Sequence, residues 1–282
     1  MAGVRRISLH GGHSGEFCDH ARDSLADVVA AYHRAGFDCI GLTEHMPPVS
    51  NLWLYPDERV LGRDSGWMRD RFGRYVREAR RLAGEYEGRM RILVGMEAEW
   101  YPGCVEWIDD LRQEHGLDYI VGSVHHAMGV GFDFSAEAYA LAVAGSGSHV
   151  ALYCAYFDAQ LEMLRFLRPA VVGHFDLIRI YDPDYRDTLN HPLVWTRIVR
   201  NLEMVRDMGA VLDVNARALL KGQPEPYVAG IILDKAAAMG IMAAYGDDAH
   251  GVSDVGCFWD LCADRLLSRN MALSVFEPFA AI

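Results

Sequence analysis

The sequence predicts an α/β chain wound into a barrel of parallel strands, and three observations carry that expectation. Short apolar runs recur along the 282 residues. Helical periodicity fills the intervals between them, and each run ends in a residue that can bind a metal or hold a substrate. The runs are residues 7–9 before His10, 39–42 before Glu44 and His45, 92–94 before Glu97, and 119–121 before His125. They continue with 171–172 before His174, 211–214 before Asn215, and 241–245 before Asp247, Asp248 and His250. Apolar runs of this length, flanked by glycine and helical stretches, read as buried parallel strands. In a β/α barrel the C-terminal strand ends converge on one face, where catalytic groups collect. One polar end could be accidental, since strands must stop somewhere. Seven such ends, supplying five His together with Glu97 and Asp248, point to a hydrolytic metal centre.

The intervals justify the helices in turn. Ser24 precedes Leu25, Val28, Val29 and Tyr32 at helical spacing, Ser24 with Asp27 resembles a capping box, and Gly36 is a natural stop. A longer helix is expected over about 68–86, where Phe72, Val76, Ala79, Leu82, Ala83 and Tyr86 recur every three or four residues. Further helices are expected near 104–115, 148–167, 191–208, 227–239 and 254–268. No repeat, low-complexity tract or linker divides the chain, so residues 1–282 are expected to form one domain. Two segments look unlike simple connections. Residues 46–66 carry Pro47, Pro48, Trp53, Tyr55 and Pro56, and residues 126–147 carry Gly129, Gly131, Gly145 and Gly147. Both follow a proposed site residue and are expected as long loops over the site face.

Composition narrows the function. The apolar fraction is 51%, ample for a core, yet no stretch approaches the roughly 20 apolar residues that span a bilayer. Arg5 and Arg6 are followed by Ser8, His10 and two glycines, not by an apolar signal core. A cytoplasmic protein with no membrane partner is expected. The six Cys form no CxxC pair and read as reduced thiols. A formal net charge of −12 argues against a nucleic-acid partner. Only Lys221 and Lys235 are lysines among 27 basic residues, a skew read as composition bias and not as an arginine cluster. The sequence leaves oligomeric state open.

Of the 12 His, seven are placed at the site because they lie just beyond strand ends or in the loop after the first strand: His10, His13, His20, His45, His125, His174 and His250. His33, His115, His149 and His191 sit in or beside helical stretches and are set aside. Imidazole suits Zn, Mn and Fe, and carboxylates can bridge two ions.

The run from His10 through Gly11, Gly12, His13 and Cys18 to His20 and Ala21 resembles the first motif of PHP-domain phosphoesterases, in particular the histidinol-phosphatase branch. So do Gly41 to His45, Gly95 to Glu97, Gly122 to His125, Gly173 to Asp176 and Gly246 to His250. The likeness runs in order from about residue 7 to 256. It implies a distorted seven-stranded, TIM-like (β/α)7 barrel holding two or three divalent ions. By the same resemblance His10, His13, Glu97 and Asp248 hold the first ion, Glu97 bridges to a second held by His125 and His174, and His20, His45 and His250 hold a third. Glu97, Asp248 and His250 are the implied catalytic set. One departure stands out. The family commonly has HxH, which places both imidazoles on one side of a strand. The His10–His13 spacing here needs Gly11 and Gly12 to bend the chain.

Close dications lower the pKa of a bound water to about 7 and neutralise charge on a phosphate. A metal-bound hydroxide then needs no Ser, Cys or Asp nucleophile. Arg179, Asn215 and Arg217 lie near site-face strand ends and are expected to bind substrate, since a guanidinium can grip two phosphate oxygens. A metal-bound water or His126 is the candidate leaving-group acid, the sequence not choosing between them, and Trp53, Tyr55 and Tyr227 are candidate walls for an imidazole ring. The expected activity is metal-dependent hydrolysis of a small phosphate monoester, first of all L-histidinol phosphate in histidine biosynthesis. A nucleotide or other small ester is the alternative within the same chemistry. A metal-binding regulatory domain without turnover is the alternative outside it.

Overall fold

Strands form where the seven apolar runs lie. The structure is a computed structural model describing residues 5–271. In chain order the strands are β1 (Ile7–Ser8), β2 (Cys39–Leu42), β3 (Arg91–Glu99), β4 (Tyr119–Ser123), β5 (His126–Ala127), β6 (Val130–Gly131), β7 (Val171–Val172), β8 (Val211–Asn215) and β9 (Met242–Gly246). β5 and β6 form a small antiparallel hairpin, and the other seven make one parallel sheet in the order β1-β2-β3-β4-β7-β8-β9. The outer strands meet through single bonds and not through a ladder. Leu9 N donates to Tyr245 O at 3.1 Å, Asp248 N to His10 O at 2.9 Å, and His13 N to Ala249 O at 2.9 Å. The sheet therefore curls into a nearly closed seven-stranded barrel with a seam between β1 and β9, the fold class expected from the sequence.

Period-two alternation along each strand decides what faces the barrel axis. On β3, Val94, Met96 and Ala98 pack outward with the helices, while Leu93 packs inward. Glu97 and Glu99, in step with Leu93, are buried. Ile7, Leu9, Leu93, Tyr119, Val121, Val171, Val211 and Ala244 plug the interior. The polar residues sit beyond this plug, at the C-terminal strand ends. Burying a Leu- or Val-sized side chain is worth about 1.5–3 kcal/mol, so the plug is a firm floor for the charged groups above it.

The helices Leu25–Arg34, Ser65–Glu85, Cys104–His115, His149–Leu167, Pro192–Met208, Gly230–Ala238 and Trp259–Leu267 occupy the predicted intervals, although the last begins later than expected. Ser24 caps the first by accepting from Asp27 N at 3.1 Å, but the capping box is not reciprocal. The short Asp27 carboxylate accepts from the Ser24 hydroxyl at 2.6 Å instead of reaching back to the backbone. None of the described helices is by itself long and apolar enough to cross a membrane.

The two expected loops are more ordered than the sequence reading allowed. Residues 46–66 contain a 3-10 turn, Asn51–Trp53, and a short helix, Pro56–Val60, with proline in the first-turn position it favours. Residues 126–147 contain the β5–β6 hairpin and a helix, Ala136–Ser146, capped by Ser135 accepting from Ala138 N. Alanine-rich composition outweighs Gly145 there.

Tyr75 ties the long helix to the sheet. It is fully buried, and its hydroxyl lies 2.6 Å from Leu42 O and 2.9 Å from Gly95 O. Tyr75→Phe leaves those carbonyls without that donor and is expected to cost about 1–2 kcal/mol. A urea midpoint equal to wild type would count against this tie.

Candidate metal centre

Glu97, projecting inward from β3, stands at the middle of a ring of imidazoles. Its Oε1 lies 3.0 Å from His174 Nε2 and 3.4 Å from both His10 Nε2 and His125 Nε2, while its Oε2 lies 3.0 Å from His45 Nδ1. One carboxylate thus offers Oε1 to three imidazoles and Oε2 to a fourth. Asp248, past the end of β9, places Oδ1 3.5 Å from His13 Nε2. His13 stacks on both His45 and His250, and His250 stacks on His20. All nine residues expected as ligands converge on this one face. Donor atoms lie within 4.8 Å of one another in several sets, among them His10-His13-Glu97, His13-Asp248-His250 and Cys18-His20-His45-His250. Cys18 is a neighbour the sequence reading did not anticipate.

The His10–His13 spacing is accommodated by the two glycines. Gly11 and Gly12 have φ of +151° and +76°, a region side chains disfavour, and a Cβ on Gly11 would meet the Asp247 carboxylate at 2.5 Å. Gly11 also exchanges bonds with Thr43: its N donates to Thr43 Oγ1 and its carbonyl accepts from Thr43 N, both at 3.0 Å. The bend brings His10 and His13 to ring centroids 6.4 Å apart, both wholly buried. His10 is therefore retained in the set.

Four imidazoles are held by an oxygen on Nδ1, which turns Nε2 inward. His10 Nδ1 lies 2.7 Å from Asp213 Oδ2, His13 Nδ1 2.9 Å from Glu44 Oε1, and His125 Nδ1 3.0 Å from Glu99 Oε1. His250 Nδ1 donates to the Asp248 carbonyl at 2.8 Å. Such partners fix tautomer and ring direction. Glu44 was noted at a strand end without a role, and Asp213 and Glu99 were not singled out from the sequence. The available signal was a carboxylate in an otherwise apolar strand or beside a site residue.

The buried charge is mutually dependent. Burial opposes ionisation of Glu97, but His10, His125 and His174 overcome it and hold the carboxyl well below its usual range. Burial likewise lowers His10, yet Glu97, Asp213 and Asp248 outweigh it and raise the imidazole. Burial, reinforced by His13, keeps His250 below its usual value. Nε2 of His10 and of His13, both nitrogens of His45 and Nδ1 of His174 are buried with no hydrogen-bond partner among the described residues. Leaving a buried polar atom unpaired costs about 1–3 kcal/mol. Inward imidazole lone pairs alternating with ionised carboxylates form the donor chemistry divalent cations take. The residues fit such ions.

A cavity of about 760 Å³ opens over the cluster, lined in part by His20, His45, Glu97, Asp248, Tyr55, Tyr227, Arg217 and Lys221. Of the three residues expected to bind substrate, only Arg217 reaches it. Arg217 Nη1 pairs with Asp254 at 2.9 Å, and a fifth of its side chain remains exposed. Arg179 is wholly buried and spends its donors on Asp176, Gln223 and the carbonyls of Glu225 and Pro226, so it cannot grip phosphate. Asn215 is also enclosed. It donates to Asp213 and Asp248 and accepts from Arg217 N, which makes it a positioning residue. His126 faces Trp53 and Tyr101, away from the cavity, and is no leaving-group acid. Trp53 stacks on Tyr101 at 4.3 Å and lines a separate cavity beside His20 and His45, not this one. Tyr55 is one, anchored by donating to Glu99 Oε1 at 2.8 Å.

The model of the PHP domain matches residues 10–217, and a probable histidinol-phosphatase of Schizosaccharomyces pombe is 36% identical over 92% of this chain and 85% of its own. The chain belongs to the PHP domain family. This PHP chain is also 28% identical to the histidinol-phosphatase of Saccharomyces cerevisiae, covering 89% of itself and 85% of that protein. Two solved structures share its fold. One, from Listeria monocytogenes and provisionally named a histidinol phosphatase, superposes with TM-score 0.79 at 24% identity, covering 91% of this chain and 99% of that one. The other is histidinol phosphate phosphatase of Lactococcus lactis complexed with zinc, L-histidinol and phosphate, with TM-score 0.70 at 16% identity and 95% of each chain covered.

Asp213 offers a direct check on the PHP centre. Asp213→Ala releases His10 Nδ1 and is expected to weaken zinc binding by about 10–100-fold. Competition with a chromophoric chelator measures this, and unchanged affinity would remove Asp213 from the centre.

Proposed function

We propose that this chain is a metal-dependent phosphatase hydrolysing L-histidinol phosphate to L-histidinol and inorganic phosphate. The observation that carries the reading is the Glu97 carboxylate facing four imidazoles, three on one oxygen and one on the other, at the floor of a cavity with Arg217 and Lys221 on its wall. The printed names of the relatives favour histidinol phosphate among small esters.

In this proposal His10, His13, Glu97 and Asp248 hold one divalent ion, Glu97 with His125 and His174 a second, and His20, His45 and His250 a third, the ions being zinc, manganese or iron. When bound, such ions supply Lewis acidity, making water a nucleophile near neutral pH and neutralising charge on phosphate. The chain's own residues set the stage for that chemistry. Glu97 and Asp248 are held ionised by the surrounding His, so they remain acceptors at neutral pH. The Nδ1–H of His250 is committed to the Asp248 carbonyl, which leaves its Nε2 free of the proton. Arg217 is oriented from two directions, by Asn215 on its backbone and by Asp254 on its guanidinium, and presents its remaining donors to the phosphate. Tyr55 and Tyr227 narrow the approach for bulk water. The proposal places the enzyme in the cytoplasm as one domain.

The test is kcat/KM for L-histidinol phosphate beside other phosphate esters, with preparations loaded separately with zinc, manganese and iron. A preference of about a hundredfold, near 2.7 kcal/mol, is expected. Equal rates across the panel would sink the substrate assignment. Arg217→Ala is expected to lower kcat/KM by about 10–100-fold while metal content stays at the wild-type level. Equal activity in the variant would take Arg217 out of phosphate binding.

A further inference from the structure

The cavity over the centre is lined by charges of both signs. Arg217 and Lys221 supply positive charge, and outside the ligand cluster Asp57 and Asp133 supply negative charge, Asp57 lying 4.0 Å from His20 Nδ1. Asp133 is firmly placed. The preceding Phe132 is fully buried edge-on to Tyr156, at 5.7 Å between ring centroids, and its N–H donates to the His125 carbonyl at 3.2 Å. The backbone just before Asp133 is thus tied to that of His125. Its Oδ1 is buried without a hydrogen-bond partner, although its charge acts on the nearby imidazoles of His125 and His126. A shielded carboxylate oxygen is costly without a donor, and this one belongs to a residue on the wall of an open cavity. Phe134, Tyr181 and Tyr227 line the same space, and aromatic faces attract cations.

We propose that Asp133 is a specificity residue: it binds the cationic amino group of the substrate while Arg217 receives the phosphate. The assignment rests on the reading above, because L-histidinol phosphate carries both an amine and a phosphate. It also predicts a broader rule, that amine-bearing phosphate esters outrun uncharged ones. Asp133 touches substrate but not the reacting atoms, so its effect falls on KM more than on kcat.

Wild type, Asp133→Asn and Asp133→Glu, all loaded with zinc, are compared on L-histidinol phosphate, ethanolamine phosphate and phenyl phosphate. Binding of L-histidinol itself is followed by titration calorimetry. Asp133→Asn is expected to lose about ten- to hundredfold in kcat/KM on the two amine esters, chiefly through KM. The loss on phenyl phosphate is smaller by about tenfold or more, L-histidinol binds more weakly in step, and Asp133→Glu recovers part of each loss. Equal losses on all three esters would mark Asp133 as structural and overturn the proposal, as would amine esters handled like wild type. A wild type indifferent to the amine overturns it too. A wild type that favours ethanolamine phosphate over histidinol phosphate, with its preference for ethanolamine phosphate over phenyl phosphate lost in Asp133→Asn, removes the histidinol phosphate reading and leaves the Asp133 assignment standing.

Discussion

Four imidazoles of the cluster are held from outside by an oxygen on Nδ1. His10, His13 and His125 are each gripped on Nδ1 by a carboxylate, and His250 by a carbonyl, so their Nε2 atoms have nowhere to turn but inward. This constraint explains much of the barrel's polar layer. Asp213, Glu44 and Glu99 are buried because they must reach rings that are themselves buried. Asn215 is buried because it braces Asp213 and Asp248 together. Ser123 donates to Glu97 Oε1 at 2.7 Å and fixes the central carboxylate from the neighbouring strand. A cluster this rich in ionisable groups is tolerable only if each charge has its partner.

The fold meets this demand by dividing labour along each strand. The N-terminal half of the barrel interior is apolar, and the polar residues follow it toward the C-terminal strand ends. On β3 the change from Leu93 to Glu97 takes four residues, and on β8 the change from Val211 to Asp213 takes two. The segments beyond the strand ends then supply what strands cannot: Tyr55 from one insertion, Asp133 from another, and Arg217 from the turn after β8.

How much of this was legible depended on distance along the chain. The strands and most helices were readable because periodicity and caps act over a few residues, and the convergence of the seven His followed from the common position of strand ends. The Gly11–Gly12 bend was readable for the same local reason. Arg179 and Asn215 were misread because what decides their role lies elsewhere. Arg179 is claimed by carbonyls at Glu225 and Pro226, and Asn215 by a carboxylate at Asp248. His126 neighbours His125 in sequence but faces the opposite way, as adjacent residues in extended chain do. The helix Ala136–Ser146 was hidden by reading the segment's glycines as loop signals when Gly129 lies in the hairpin turn, Gly131 in β6 and Gly147 at the helix C-terminus.

The seam between β1 and β9 has a meaning beyond closure. It lacks a ladder, and its bonds involve Leu9, His10 and His13 on one side and Tyr245, Asp248 and Ala249 on the other. Three of those six residues are also in the cluster. The barrel is therefore fastened like a strap whose buckle is the reactive centre: wall and hearth share the same masonry. Sequence drift that loosens the wall at this joint also disarranges the hearth, so a chain of this design has little freedom to keep its shape after giving up its chemistry.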